Sequence, residues 1–219
     1  MHQILAIFQI DSNKKEITFP GTGLNNVKFF GNGFFISKYG HIASVAHVLK
    51  NDSYNYYALI ENKMHKISIL LSEYNAKDEN HIDAAIGRID VGRICRYFRF
   101  NDFESIKIKE KLIVVGHFRS SSKNTKLIDK PSKQKFEAYC IDLAYKYGAV
   151  NSIRMENFFN IAFPNCRNTL SGCPIFNEQN NIVGIIKGGN GIDCQALHIN
   201  IIKKMFYSNL QTNNYQLKK

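Results

Sequence analysis

The chain has 219 residues, 44% of them hydrophobic and 21% charged, which is enough apolar chain for one large domain or two small ones packed together. No run approaches the ~18 consecutive apolar residues of a membrane-spanning helix, and five irregularly spaced cysteines without a Cys-x-x-Cys pair argue against a zinc site. The formal charge of +11 leaves an acidic partner open, but the basic residues are scattered, with modest clusters at 107–111, 123–135 and 203–204, so nucleic acid is not the expected partner.

The chain opens on Ile4-Leu5-Ala6-Ile7-Phe8. No Lys or Arg precedes this run and no small-residue cleavage site follows it, so it reads as a first strand and not as a secretory leader. Short runs rich in Ile, Val, Phe and Tyr then recur, punctuated by Gly, Asn and Asp. They fall at 4–10, 27–37, 41–44, 56–60, 66–71, 84–89, 112–117, 135–141, 160–163, 174–176, 182–186 and 196–199. So many short strands with turn signals between them predict an all-β protein of barrel or sandwich type. The polar stretch 119–133 reads as a surface loop, a change of domain is expected between residues 96 and 108, and no internal repeat is visible. One helix is expected at 200–210, where Ile201, Ile202, Met205 and Phe206 share a face and Asn200 is placed to cap it; from 211 the tail reads as frayed. Without a leader, and with an odd number of cysteines, the thiols are expected to be reduced and the location cytoplasmic.

Three segments carry chemistry. The first contains Gly31-Asn32-Gly33-Phe34, then Gly40-His41-Ile42-Ala43-Ser44-Val45-Ala46-His47-Val48-Leu49. This pattern predicts a hairpin ending in a small-residue bend that projects His47 from a strand end. In the second, Ile82-Asp83-Ala84-Ala85-Ile86, a carboxylate flanked by apolar residues needs a partner for its charge, and an imidazole would serve. In the third, Ser171-Gly172-Cys173-Pro174-Ile175-Phe176 places a serine on a tight turn beside a sheet, where backbone N–H groups can converge on an oxyanion. Each segment alone has a plain structural reading: a core histidine, a turn aspartate, a connecting turn. Together they give the chain order His, Asp, Ser, which is the order of chymotrypsin-type triads and differs from those of subtilisin and the α/β-hydrolases.

These segments resemble the trypsin-like serine peptidases, nearer the bacterial HtrA-like branch than the secreted digestive enzymes with their disulfides. Gly31-Asn32-Gly33-Phe34 is similar to that family's Gly-x-Gly-Phe hairpin, and Ala46-His47-Val48-Leu49 to its Ala-His-x-Leu motif. Asp83-Ala84-Ala85-Ile86 resembles its Asp-Ile-Ala-Leu segment, Ser171-Gly172-Cys173-Pro174 its Ser-Gly-Gly-Pro, and Ala196-Leu197-His198-Ile199-Asn200 its Ala-Ile-Pro-x-Asn stretch. The correspondence covers about residues 4–206 and leaves no room among these residues for an appended PDZ domain.

The resemblance implies two six-stranded antiparallel β-barrels, at 1–105 and 106–219, with a short C-terminal helix. It implies peptide-bond hydrolysis of a protein or peptide substrate by His47, Asp83 and Ser171, with no metal or cofactor. The N–H groups of Thr169 and Ser171 would form the oxyanion hole, at ~3 kcal/mol per donor. Thr169 stands where the family usually has Gly, Leu170 where the secreted enzymes carry the acidic residue that receives a new N-terminus, and Cys173 where it has Gly. Cys173 should pack into the sheet and not act as a nucleophile. Asn165 is expected at the base of the substrate pocket, with Lys187, Gly188, Gly189 and Cys194 as walls. No Asp lies at that base, so Arg or Lys preference is not expected; Lys187 or His198 would suit an acidic residue. Two alternatives remain: a pseudoprotease of the same fold acting as a protein-binding module, and a basic nucleic-acid-binding β domain, which gives the triad order no role.

Overall fold

The computed structural model describes residues 4–11, 27–50, 52–60, 63–74, 82–92, 96–100, 106–119, 141–154, 157–166, 170–189 and 191–216. Strands β1 (Ile4–Asp11), β2 (Val27–Phe35), β3 (His41–Ser44), β4 (Tyr54–Ile60), β5 (Lys63–Glu73) and β6 (Ala84–Ile89) close a first barrel in the order β1-β2-β3-β6-β5-β4. Strands β7 (Lys111–Arg119), β8 (Ile141–Arg154), β9 (Phe158–Cys166), β10 (Pro174–Asn177), β11 (Ile182–Gly189) and β12 (Gly191–His198) close a second in the order β10-β11-β12-β9-β8-β7. Read from β7, the second barrel follows the same path as the first. Every pairing is antiparallel. The chain is therefore an all-β, chymotrypsin-like double barrel whose halves share a topology without sharing a sequence.

Alternation explains the half-buried strands: in β4, Tyr56, Ala58 and Ile60 are buried while Asn55, Tyr57 and Leu59, on the opposite face, are only partly covered. Strands β3 and β10 are buried throughout because they are covered on both faces. The change of barrel takes place between β6 and β7, where Phe98 wedges between the halves. Its ring lies 5.8 Å from Phe34 of the first barrel and 5.2 Å from Phe176 of the second, and its N–H donates to the Phe35 carbonyl at 2.8 Å.

Some expectations fall outside the described residues and others need correction. The strand expected at 135–141 meets the described residues only at Ile141, where β8 begins; β8 then runs on to Arg154, a stretch the patterning did not single out. Tyr147 and Ile153 on it are exposed while Val150 is buried, so the apolar signal does not alternate cleanly there. The loop expected at 119–133 lies outside the described residues apart from Arg119, the last residue of β7. Helix α1 spans Ile199–Gln216, longer than expected, and buries the anticipated face of Ile201, Ile202, Met205 and Phe206. Its cap is His198 and not Asn200: His198 Nδ1 accepts the Asn200 N–H at 3.2 Å. Finally, Cys194 is in a disulfide, its partner lying among cysteines whose side chains are outside the described set. Irregular sequence spacing hides such pairs because strand packing decides which cysteines meet. The reduced-thiol expectation fails there, and with it one of the two supports for a cytoplasmic location. Among the described residues no helix is long and apolar enough to cross a membrane.

Two buried histidines tie α1 to the sheets. His198 caps it, and His41 packs edge-on against Phe206 with ring centroids 5.2 Å apart. Ser37 Oγ accepts the N–H groups of Tyr39 and His41, so its own proton points to His41 Nδ1 at 2.7 Å. Both rings therefore act as acceptors through Nδ1 and are held neutral. Burial lowers both below the usual 6.5, with Arg88 adding to the effect at His41. A lowered folded-state value means that the unfolded chain binds protons first. Stability is then complete above about pH 6.5 and is lost as pH falls through the window below it. We expect the urea midpoint to drop between about pH 7.5 and about pH 5, with a smaller drop in His198→Asn, whose amide caps without titrating. An identical pH dependence in that variant would remove His198 from the account.

Candidate active site

The first barrel presents His47 on a single helical turn after β3. Val48 N–H and Leu49 N–H both donate to the Val45 carbonyl at 3.1 Å. Val45, Ala46, Val48 and Leu49 are fully buried, so the turn is anchored on every side but one. The imidazole is what emerges, with 30% of its side chain exposed.

Asp83 immediately precedes β6. Ser44 of β3 pairs with Ala85 of β6, and continuing that register brings Asp83 level with Ala46. Its carboxylate is only 2% exposed and accepts twice from one residue: Oδ1 takes the His47 backbone N–H at 2.9 Å and Oδ2 faces His47 Nδ1 at 2.6 Å. A buried carboxylate with two charge-assisted acceptor bonds is compensated. Its position fixes the imidazole in the Nδ1–H tautomer, leaving Nε2 as the basic nitrogen.

The second barrel presents Ser171 on a four-residue turn. Cys173 N–H donates to the Leu170 carbonyl at 2.9 Å, and Gly172, third in the turn, has a φ of +83°, as a type II turn requires. The turn is stitched to β11 by Gly172 N–H to Ile186 O and Ile186 N–H to Cys173 O, each 2.9 Å. It is also joined to the other barrel, because Asn32 N–H of β2 donates to the Ser171 carbonyl at 2.8 Å. Gly31, beside it, is crowded by this same Ser171 carbonyl and by Val48, His47's neighbour: a Cβ there would lie 2.9 Å from the first and 2.6 Å from the second. Only glycine lets the serine turn come this close to the histidine turn.

The Ser171 hydroxyl is buried and donates to the Lys187 carbonyl at 3.3 Å. A register shift in β11 opposite β12, between Ile186 and Gly188, turns that carbonyl out of the ladder. The structure thus brings His47 and Asp83 into hydrogen bonding and clamps the Ser171 turn onto the same barrel. Among the described residues no hydrogen bond joins Ser171 Oγ to His47. No acceptor for the Ser171 N–H is found among them either, whereas Thr169 lies outside them.

The pocket residues separate. Lys187, Gly188 and Gly189 run past the serine at the end of β11, and a Cβ on Gly188 would meet nothing within 4 Å. The Lys187 side chain is buried with its ammonium 5.4 Å from the centre of the Phe158 ring. Cys194, opposite Gly189 in β12, is buried in the second-barrel core. Asn165 lies in β9, its side chain outside the described set. His198, at the far end of β12, is occupied as the helix cap. Leu170 and Cys173 both pack in the second-barrel core, Cys173 outside any disulfide and beside Gly116, whose added Cβ would stand 2.1 Å from the sulfur. Two contributors escaped the patterning, Asn32 and Ser44, whose Oγ donates to the Asn32 carbonyl at 2.7 Å. The available signal was an amide side chain between two glycines in an otherwise apolar strand.

No family model matches this chain, and no curated protein matches it.

Proposed function

We propose that the chain is a serine endopeptidase in which Ser171 Oγ attacks the peptide carbonyl, His47 Nε2 takes its proton, and Asp83 holds the imidazole and stabilises its charged form. The observation that carries this reading is the double acceptance of His47 by the buried Asp83 carboxylate, next to a serine turn bonded to the same barrel. A structural histidine has no need of a buried anion aimed at one ring nitrogen. The acyl-enzyme formed at Ser171 would be released by water activated at the same Nε2. The Ser171 N–H supports the reading as one oxyanion donor. At 3.3 Å the hydroxyl's bond to Lys187 O is weak, and rotation about Cα–Cβ would free it for His47.

That same bond favours a second reading, a protein-binding module of this fold whose serine is parked away from its base. A fluorophosphonate probe separates the two. Wild type should be labelled, with the adduct mapped to Ser171, and Ser171→Ala should not. A folded wild type that resists the probe as completely as Ser171→Ala would establish the binding module. A basic nucleic-acid-binding domain would leave the His47–Asp83 pair without a role.

A further inference from the structure

The His47–Asp83 pair belongs to one barrel and Ser171 to the other, so their separation depends on how the barrels are registered. Asn32 of β2 sits at that seam, completely buried. Its side chain bonds both polar groups of one residue of β7: Oδ1 accepts the His117 N–H at 2.7 Å, and Nδ2 donates to the His117 carbonyl at 3.1 Å. The amide thus pairs with His117 as a peptide group of a neighbouring strand would. Gly116 makes room for this, since a Cβ there would stand 3.2 Å from Asn32 Oδ1. The backbone of the same residue holds the catalytic segments: its N–H bonds Ser171 O, and its carbonyl accepts from Ser44, three residues before His47.

We infer that Asn32 is a positioning residue, whose side-chain pairing with His117 sets the register of the serine barrel against the histidine barrel. Its effect on catalysis rests on the triad proposed above. Its effect on the docking of the serine turn does not. A displacement of about 1 Å between reacting groups costs on the order of 10²-fold in rate, so Asn32→Ala should slow fluorophosphonate labelling of Ser171 by about that factor while the chain stays folded. The isosteric Asn32→Asp tests the pairing itself. An ionised carboxylate keeps the bond from His117 N–H but sets an oxygen against the His117 carbonyl. The neutral acid restores both bonds, its O–H donating where Nδ2 did. Burial raises the pKa of such a group, so labelling of Asn32→Asp relative to wild type should recover as pH falls below about 6.

The deciding companion measurement is hydrogen exchange at the residue-32 amide, which reports on its bond to Ser171 O. It should quicken at least about tenfold in Asn32→Ala, and in Asn32→Asp only at the higher pH. Unchanged protection in the folded variants overturns the inference, as does slower labelling with that amide still protected, since the serine would then be lost by another route. If wild type takes no label, the triad proposal fails and the amide protection alone decides. If Asn32→Ala does not fold, Asn32→Asp at two pH values decides: a labelling ratio and protection independent of pH overturn the role.

Discussion

Asp83→Asn is expected to slow both labelling of Ser171 and peptide hydrolysis by about 10⁴-fold at neutral pH, with the fold and melting temperature little changed. The reason lies in the two bonds made by the carboxylate. An asparagine can keep the first, its Oδ1 still accepting the His47 backbone N–H now at 2.9 Å from Asp83 Oδ1. Its nitrogen then occupies the position of Oδ2, 2.6 Å from His47 Nδ1. Two donors cannot share that gap, so Nδ1 becomes the acceptor and the imidazole proton moves to Nε2. The nitrogen proposed to take the Ser171 proton is then already protonated. A structural role for Asp83 predicts the opposite pattern, in which melting temperature falls and any reactivity follows it. Measuring the labelling rate and the melting temperature on one preparation separates the two, and labelling within tenfold of wild type would refute the tautomer role assigned to Asp83.

How much of this was legible in the chain follows from what each feature depends on. Strands such as β4 could be read because alternate side chains must face a core. His47 and Asp83 stood out because their neighbours are apolar, and the structure shows why: Val45, Ala46, Val48, Leu49, Ala84 and Ala85 are all buried, so a polar side chain among them needs a purpose. Features made by contacts between distant segments could not be read. The register shift at Lys187, the capping of α1 by His198 and the disulfide of Cys194 each depend on which strands lie side by side. Asn32 is the instructive case. Between Gly31 and Gly33 it is the unspecified position of a Gly-x-Gly-Phe hairpin, and nothing local marks it, because its partner His117 is 85 residues away and in the other barrel. The repeated barrel topology left no internal sequence repeat and was legible only through the family resemblance, because antiparallel connectivity constrains where strands go and leaves the side chains free to differ.

Gly172→Ala is expected to have the largest effect on stability, and to disable the serine as well. The φ of +83° at Gly172 is open to glycine and costs other residues about 1–3 kcal/mol. Crowding adds to this, since the new Cβ would stand 1.9 Å from the Asn32 carbonyl oxygen, 2.8 Å from its carbon and 2.9 Å from Ser44 Oγ. None of these is the far end of a flexible side chain. Two are backbone atoms of β2, and Ser44 Oγ is held by its own bond to Asn32 O. Either the turn backs away from β2 or β2 yields, and overpacking of this kind costs a further ~1–3 kcal/mol. If the turn moves, Ser171 leaves the neighbourhood of His47 and its labelling falls by about 10²-fold or more. Gly188→Ala is the matching control on the same side of the second barrel: its Cβ would meet nothing within 4 Å, and its stability should stay within about 0.5 kcal/mol of wild type. Urea unfolding of the two variants, read beside their labelling rates, tests the contact directly. A Gly172→Ala protein as stable and as reactive as Gly188→Ala would mean that the serine turn does not press on β2, and the closeness of the two barrels at Ser171 would have to be given up.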